Sequence, residues 1–332
     1  MVIIPQKRGY DIWTKKDQGE FVLKGRLGFK PDISLSSYSG KLGQNRGSIK
    51  FSYEIPGLIF TDYDKDGKKD ILMLDKDKMY VFLSKEDGFF QEQADKIVAL
   101  KSKGKEEKQE FEIDDINGDG VLDLILNESK GDLEKGSKTK ISIYMGKEAE
   151  GFQIGSPHQI ISSEKEASDV LLCDLNKDGK KEMIMLNMGF SLGSMIKVLL
   201  TKSIKFNLYV RSLGAKDLYP KEPNRKLNLG LKVSFSEESN QPSEMGEDDF
   251  SGDFNGDGLT DFFYAAGDNV LKFFLGRKGD FFADKPQYEM GIEIPAGRHK
   301  IIDLNNDGKS DIIFSFEKKD LKDKIVVLFS NM

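Results

Sequence analysis

The chain has 332 residues, 38% of them hydrophobic and 32% charged, and its 50 Lys and Arg against 56 Asp and Glu leave a net charge of -6. Such a chain can build a core under a heavily charged surface, and it offers no basic footprint for nucleic acid. One cysteine, Cys173, excludes a disulfide framework and a cysteine-rich zinc site; two histidines, His158 and His299, argue against catalytic zinc or haem ligation; and no apolar run approaches the ~20 residues of a membrane span. The N-terminal residues 1–8 also lack the apolar run of a secretory signal, about 7 to 15 residues, and its small-residue cleavage site.

From residue 58 onward the chain repeats itself. Apolar runs at 58–60 and 71–74 flank an acidic loop, a third run follows at 80–83, then Gly88-Phe89-Phe90 as punctuation, and a weaker run at 97–100. Runs this short, bounded by Asp, Asn and Gly, read as buried strands rather than helices. The loop recurs five times: Asp62-x-Asp64-x-Asp66-Gly67-Lys68-x-Asp70, Asp115-x-Asn117-x-Asp119-Gly120-Val121-x-Asp123, Asp174-x-Asn176-x-Asp178-Gly179-Lys180-x-Glu182, Asp253-x-Asn255-x-Asp257-Gly258-Leu259-x-Asp261 and Asp303-x-Asn305-x-Asp307-Gly308-Lys309-x-Asp311. These are loops 1 to 5. A period mostly in the fifties, with three or four strands and no regular helix in each, predicts an all-β protein of propeller blades that bury their faces against neighbours.

Alternation at positions 1, 3 and 5 aims three side-chain oxygens at one point, Gly at position 6 allows the sharp turn, and the carbonyl at position 7 (Lys68, Val121, Lys180, Leu259, Lys309) turns inward. A hard cation suits such a set. Calcium takes about 6 to 8 oxygens at irregular angles, whereas magnesium demands near-octahedral geometry and keeps its waters, so calcium is expected, about five ions per chain. An EF-hand would need a bidentate Glu at position 12, where the five loops carry Met73, Leu126, Met185, Tyr264 and Phe314. The closing carboxylate comes instead at position 9: Asp70, Asp123, Glu182, Asp261 and Asp311. Position 12 then belongs to the blade core. Turn propensity alone explains Asp-x-Asn-x-Asp-Gly but gives no use to the acid at position 9.

These loops resemble the FG-GAP/VCBS repeat family, which includes the integrin α-subunit propeller and many secreted bacterial proteins, and whose Asp-x-Asp-x-Asp-Gly-x-x-Asp hairpin binds calcium. The resemblance covers nearly the whole chain. It implies one β-propeller over 1–332 with six visible blades, a partial one in 1–49 and five around the loops, and leaves a seven-blade ring open for a longer protein. It also implies a calcium-dependent binding scaffold for a protein or glycan, as in cell adhesion, with no catalytic residues; the alternatives are a polysaccharide lyase or hydrolase on a propeller body, or a structural module of a larger adhesin.

Residues 9–21 align with the third-strand segment 79–89, so the chain is expected to begin in mid-blade, with a signal peptide and a first loop lost. An extracellular, periplasmic or cell-surface location follows, because loops of this extracellular kind need about 0.1 to 1 mM calcium.

The interval between loops 3 and 4 is longest, and an insertion with the outer strands of its blade accounts for 187–233. Gly189-Phe190-Ser191-Leu192-Gly193 there matches a nucleophile elbow in form, but alternating strands and helices are missing and His299 belongs to a blade. The expected reading is an amphipathic excursion packed on the blades. Residues 187–233 carry nine Lys and Arg against Asp217 and Glu222, which points to a solvated lysine face or an anionic partner. The mixed-charge runs 101–108 and 135–140 read as exposed loops, and the glycosylation sequon at Asn127 as chance.

Overall fold

The computed structural model describes residues 1–332 except 7, 17–18, 30–31, 39–47, 55, 76–77, 87, 101–107, 133–135, 148–153, 164–165, 190–191, 233, 236–241, 244–247, 268, 293–297 and 317–323. Ser191 and most of the lysine run at 101–108 therefore lie outside the described residues. The fold is all-β, six antiparallel blade sheets, and the chain divides into two compact units, Met1–Gly104 and Lys105–Met332.

The first unit holds two blades. Blade 1 is Val2–Gln6, Gly9–Lys15 and Phe21–Gly28; blade 2 is Gly57–Thr61, Asp70–Asp75, Lys78–Phe82 and Lys96–Ala99. Between them Asp32–Tyr38 and Ser48–Glu54 pair as a separate hairpin, so the first blade sheet stops at Gly28 rather than running on toward residue 49. Tyr10, Ile12 and Leu27 of blade 1 pack with Ile71, Met73, Phe82 and Phe90 of blade 2. Blade 1 comes so close to blade 2 that a Cβ on Gly25 would stand 2.5 Å from the Phe90 carbonyl oxygen.

The second unit holds four blades. Blade 3 is Lys108–Asp114, Asp123–Asp132, Gly136–Tyr144 and Gln159–Ser163; blade 4 is Glu166–Cys173, Glu182–Gly189, Ser203–Arg211 and Arg225–Lys232. Blade 5 is Asp248–Gly252, Asp261–Ala265, Val270–Phe274 and Tyr288–Gly291; blade 6 is Arg298–Ile302, Asp311–Ser315 and Ile325–Leu328. Each core cluster is shared by consecutive blades, with Ile125 and Met183 for blades 3 and 4, Ile184 and Phe262 for blades 4 and 5, and Phe263 and Phe314 for blades 5 and 6. A blade cannot bury both faces alone, and this is how repeats stabilise one another.

The second strand of each loop-bearing blade reads as a continuous apolar run because both of its faces are covered. Position 12 lies in that strand, and Met73, Leu126, Met185, Tyr264 and Phe314 are all buried. Asn127 is buried as well, which disposes of the sequon as a glycan site.

The insertion is the helix α1, Leu192–Thr201, joining the second and third strands of blade 4. It ends where Lys202 enters the left-handed region at φ 49° and donates its N–H to the Val198 carbonyl. Among its described side chains Val198 is half-buried, while Ile196, Leu199 and Leu200 are 50%, 63% and 80% exposed.

Candidate metal-binding loops

Each loop joins the first and second strands of its blade, and all five share three internal hydrogen bonds. The position 1 carboxylate accepts the N–H of the position 6 glycine through Oδ2, at 2.8 to 3.0 Å, in Asp62, Asp115, Asp174, Asp253 and Asp303. The position 3 oxygen accepts the position 5 N–H, and the position 5 carboxylate accepts the position 7 N–H, as in Asn117 to Asp119 and Asp119 to Val121. These Asx bonds close the turn through side chains. Two left-handed residues complete it, the glycine at position 6 and the residue at position 4: Lys65, Gly118, Lys177, Gly256 or Asn306.

Position 9 is buried in every loop. One oxygen accepts the N–H of position 2: Asp70 from Tyr63, Asp123 from Ile116, Glu182 from Leu175, Asp261 from Phe254 and Asp311 from Leu304. In four loops the other oxygen accepts an N–H just beyond the third strand, from Ser84, Gly146, Gly276 or Ser330. The acid thus fastens loop to blade even without an ion, a structural use that sequence reasoning missed. The signal was legible in two blades, where Gly146 and Gly276 follow the third strand; a Cβ would meet the Leu122 carbonyl oxygen at 2.1 Å in one and that of Thr260 at 2.7 Å in the other.

Burial, reinforced by the carboxylates at positions 1 and 5, pushes Asp123 up to about 6, Glu182 to about 7 and Asp261 to about 6, despite the N–H groups that favour their charge. Burial also raises Asp70, with Asp64 adding to it. Such buried acids facing other acids are costly to leave charged and uncompensated.

Loop 1 gathers the most charge. Oxygens of Asp62, Asp64 and Asp70 lie within 4.8 Å of one another, and Asp62 Oδ1 is buried with no hydrogen-bond partner among the described residues. Position 5 does not join this trio: Asp66 turns to Lys68, whose Nζ stands 2.7 Å from its Oδ2 and holds its carboxyl below the usual range. In the other loops the position 3 asparagine occupies that oxygen, its amide donating to Asp119, Asp178, Asp257 or Asp307. In loop 1 the carboxylates that meet are therefore those of positions 1, 3 and 9. A cation fits that set, because it would compensate three carboxylates and supply the partner Asp62 Oδ1 lacks.

In the second unit the loops are joined to one another. The position 8 N–H donates to a carbonyl in the preceding loop: Lys181 to Ile116 at 2.9 Å, Thr260 to Leu175 at 3.3 Å and Ser310 to Asp253 at 2.7 Å. Position 4 of one loop lies against position 6 of the next, for a Cβ on Gly118 would be 2.7 Å from the Gly179 carbonyl oxygen.

His299 sits across blades 5 and 6, with Nε2 2.8 Å from Asp249 Oδ2 and its ring edge-on to Phe263. Burial works against the Asp249 charge, but hydrogen bonds from His299 and Ser251 outweigh it and hold the carboxyl low. The basic stretch 187–233 is partly consumed by contacts within blade 4 and with blade 5. Arg211 is buried and donates to the carbonyls of Pro220 and Lys221, Arg225 pairs with Asp284, and Lys226 with Glu222.

No helix among the described residues is long and apolar enough to cross a membrane. No curated protein matches the chain. Residues 62–126 and 253–314, which span loops 1, 2, 4 and 5 with their following strands, match the FG-GAP-like repeat model. With these matches on sheets of this form, the chain carries FG-GAP-like repeats on β-propeller blades.

Proposed function

We propose that the five loops hold calcium and that the chain is a calcium-stabilised binding scaffold, not an enzyme, working outside the cell or on its surface. The observation that carries this reading is loop 1, where three carboxylates converge and Asp62 Oδ1 has no hydrogen-bond partner among the described residues. The ligands would be the side chains at positions 1, 3 and 9 with the position 5 acid and the position 7 carbonyl, and the ion would neutralise the acids and lock the hairpin. Flexible oxygen-only loops of this kind suit the calcium concentrations found outside cells. A protein or a glycan is the partner class that such a scaffold serves.

Calorimetric titration of the chelated protein with calcium tests the reading. About five sites are expected, one for each loop. Fewer than three would defeat it.

A further inference from the structure

Three aliphatic side chains of α1 face solvent together. Ile196, Leu199 and Leu200, spaced i, i+3 and i+4, form one stripe, and it is the stripe that faces solvent. An apolar stripe so exposed is uncommon on a soluble chain and marks a contact surface. Lys197 stands on the helix beside the stripe, Lys202 just past its end and Lys205 on the strand that follows; all three are exposed and form no ion pair among the described residues. Asp217 and Glu222 are the only acids in 187–233, and Glu222 is paired with Lys226.

We propose that α1 is an interfacial helix that lays its aliphatic stripe into an anionic lipid surface while its lysines meet the headgroups. Charge complementarity selects this occupant. The chain as a whole carries -6 and is repelled by an anionic surface, so only a local inversion of sign can approach one, and screening over about 8 to 10 Å lets that patch act alone. The composition of the stripe favours lipid over protein. Protein contacts concentrate their energy in Trp, Tyr and Arg anchors, whereas the exposed residues here are aliphatic and their flanking cations are lysines. A helix of ten residues with three exposed aliphatics binds weakly, with an association constant no higher than the ~10⁴ M⁻¹ of a single acyl chain.

The test is sedimentation of the full chain, kept in calcium, with vesicles of phosphatidylcholine mixed with phosphatidylglycerol and with vesicles of phosphatidylcholine alone. Binding to the anionic vesicles is expected to be stronger by about tenfold or more and to fall with salt. Leu199→Glu with Leu200→Glu should lower it by about tenfold at an unchanged melting temperature, since both side chains are already exposed. This pair also separates insertion from calcium bridging between acidic protein and lipid, which would not notice the leucines. Lys202→Glu with Lys205→Glu should lower it by about fivefold for each charge removed. Leu200→Trp should shift its emission to the blue on anionic vesicles. Equal binding to both vesicle types, binding indifferent to the leucine pair, or self-association abolished by that pair would each overturn the proposal, the last by showing that a second copy covers the stripe.

Discussion

Loops 1 and 3 make the same turn and differ at three positions, Tyr63 against Leu175, Asp64 against Asn176 and Asp70 against Glu182, of which the last two bear on the charge of the loop. In loop 3 the Asn176 amide donates to Asp178 Oδ2 and, at 3.4 Å, to Glu182 Oε1, so one neutral side chain bridges two acids. In loop 1 the third residue is a third acid, able only to accept, and Asp62 Oδ1 is left without a partner among the described residues. In loop 3 Asp174 Oδ1 accepts the Asp178 N–H, a bond not found at Asp62 Oδ1, so loop 3 satisfies its acids with its own donors while loop 1 keeps a buried acid oxygen suited to a cation. The reach of the position 9 acid differs as well. Asp70 holds two backbone N–H groups, from Tyr63 and Ser84, whereas Glu182 holds only that of Leu175 and gives its other oxygen to Asn176.

The largest effect expected is that of chelation. Removing structural ions should lower the melting temperature by about 10 °C or more, since each kcal/mol is worth about 2 to 4 °C in a chain of this size. Hydrogen exchange then breaks or sharpens the comparison. The amides of Gly67 and Lys68 in loop 1 should lose more protection on chelation than those of Gly179 and Lys180 in loop 3, although all four donate to loop carboxylates. Equal losses would mean that the extra acid in loop 1 is immaterial.

Next in size is the substitution of position 9, measured in chelator so that no metal contributes. Asp70→Asn puts an amide where both oxygens accepted, at a cost of about 2 kcal/mol, and Glu182→Gln should cost about 1 kcal/mol because only one of its oxygens fastens the backbone. If denaturant unfolding in chelator finds both variants as stable as the parent, position 9 matters only through the ion.

These contrasts also mark what the sequence could reveal. The strands and the buried position 12 were legible because a short apolar run beside Asp-Gly has few other ways to fold, and side-chain alternation within the loop was legible as convergence. Convergence of position 9 with positions 1 and 3, and the turn of Asp66 toward Lys68, depend on which rotamer each acid adopts after Tyr63 and Ser84 have claimed Asp70. The links between loops were illegible for another reason. Lys181, Thr260 and Ser310 have no shared chemistry, and the bond they make uses only the backbone. For α1 the sequence was legible as an amphipathic excursion, but the face a helix turns inward is decided by what lies beneath it.

A direct exchange of the position 3 residues gives a smaller effect of opposite sign in the two loops. Asp64→Asn should weaken calcium at loop 1 by about tenfold and stabilise the metal-free protein, because one carboxylate leaves the trio and an amide donor enters it. Asn176→Asp should strengthen calcium at loop 3 by a similar factor and destabilise the metal-free protein. Site-resolved titration reads the first pair of effects and melting in chelator the second. Affinity changes of the same sign in both loops would show that ligand charge does not rank the sites.

The smallest effect is one that loops 1 and 3 should share. Both carry lysine at position 4 with φ 61°, while loops 2 and 4 carry Gly118 and Gly256 there at 77° and 73°. A lysine pays about 1 kcal/mol to sit in the left-handed region, partly offset because glycine loses more backbone freedom on folding, so Lys65→Gly and Lys177→Gly should each stabilise by about 0.5 kcal/mol. The backbone demand arises from the turn and not from the ion, and the gain should be the same with calcium and in chelator. A gain at Lys65 seen only in calcium would instead mean that the ion imposes the left-handed turn on loop 1, and that its bare backbone is not the one it shares with loop 3.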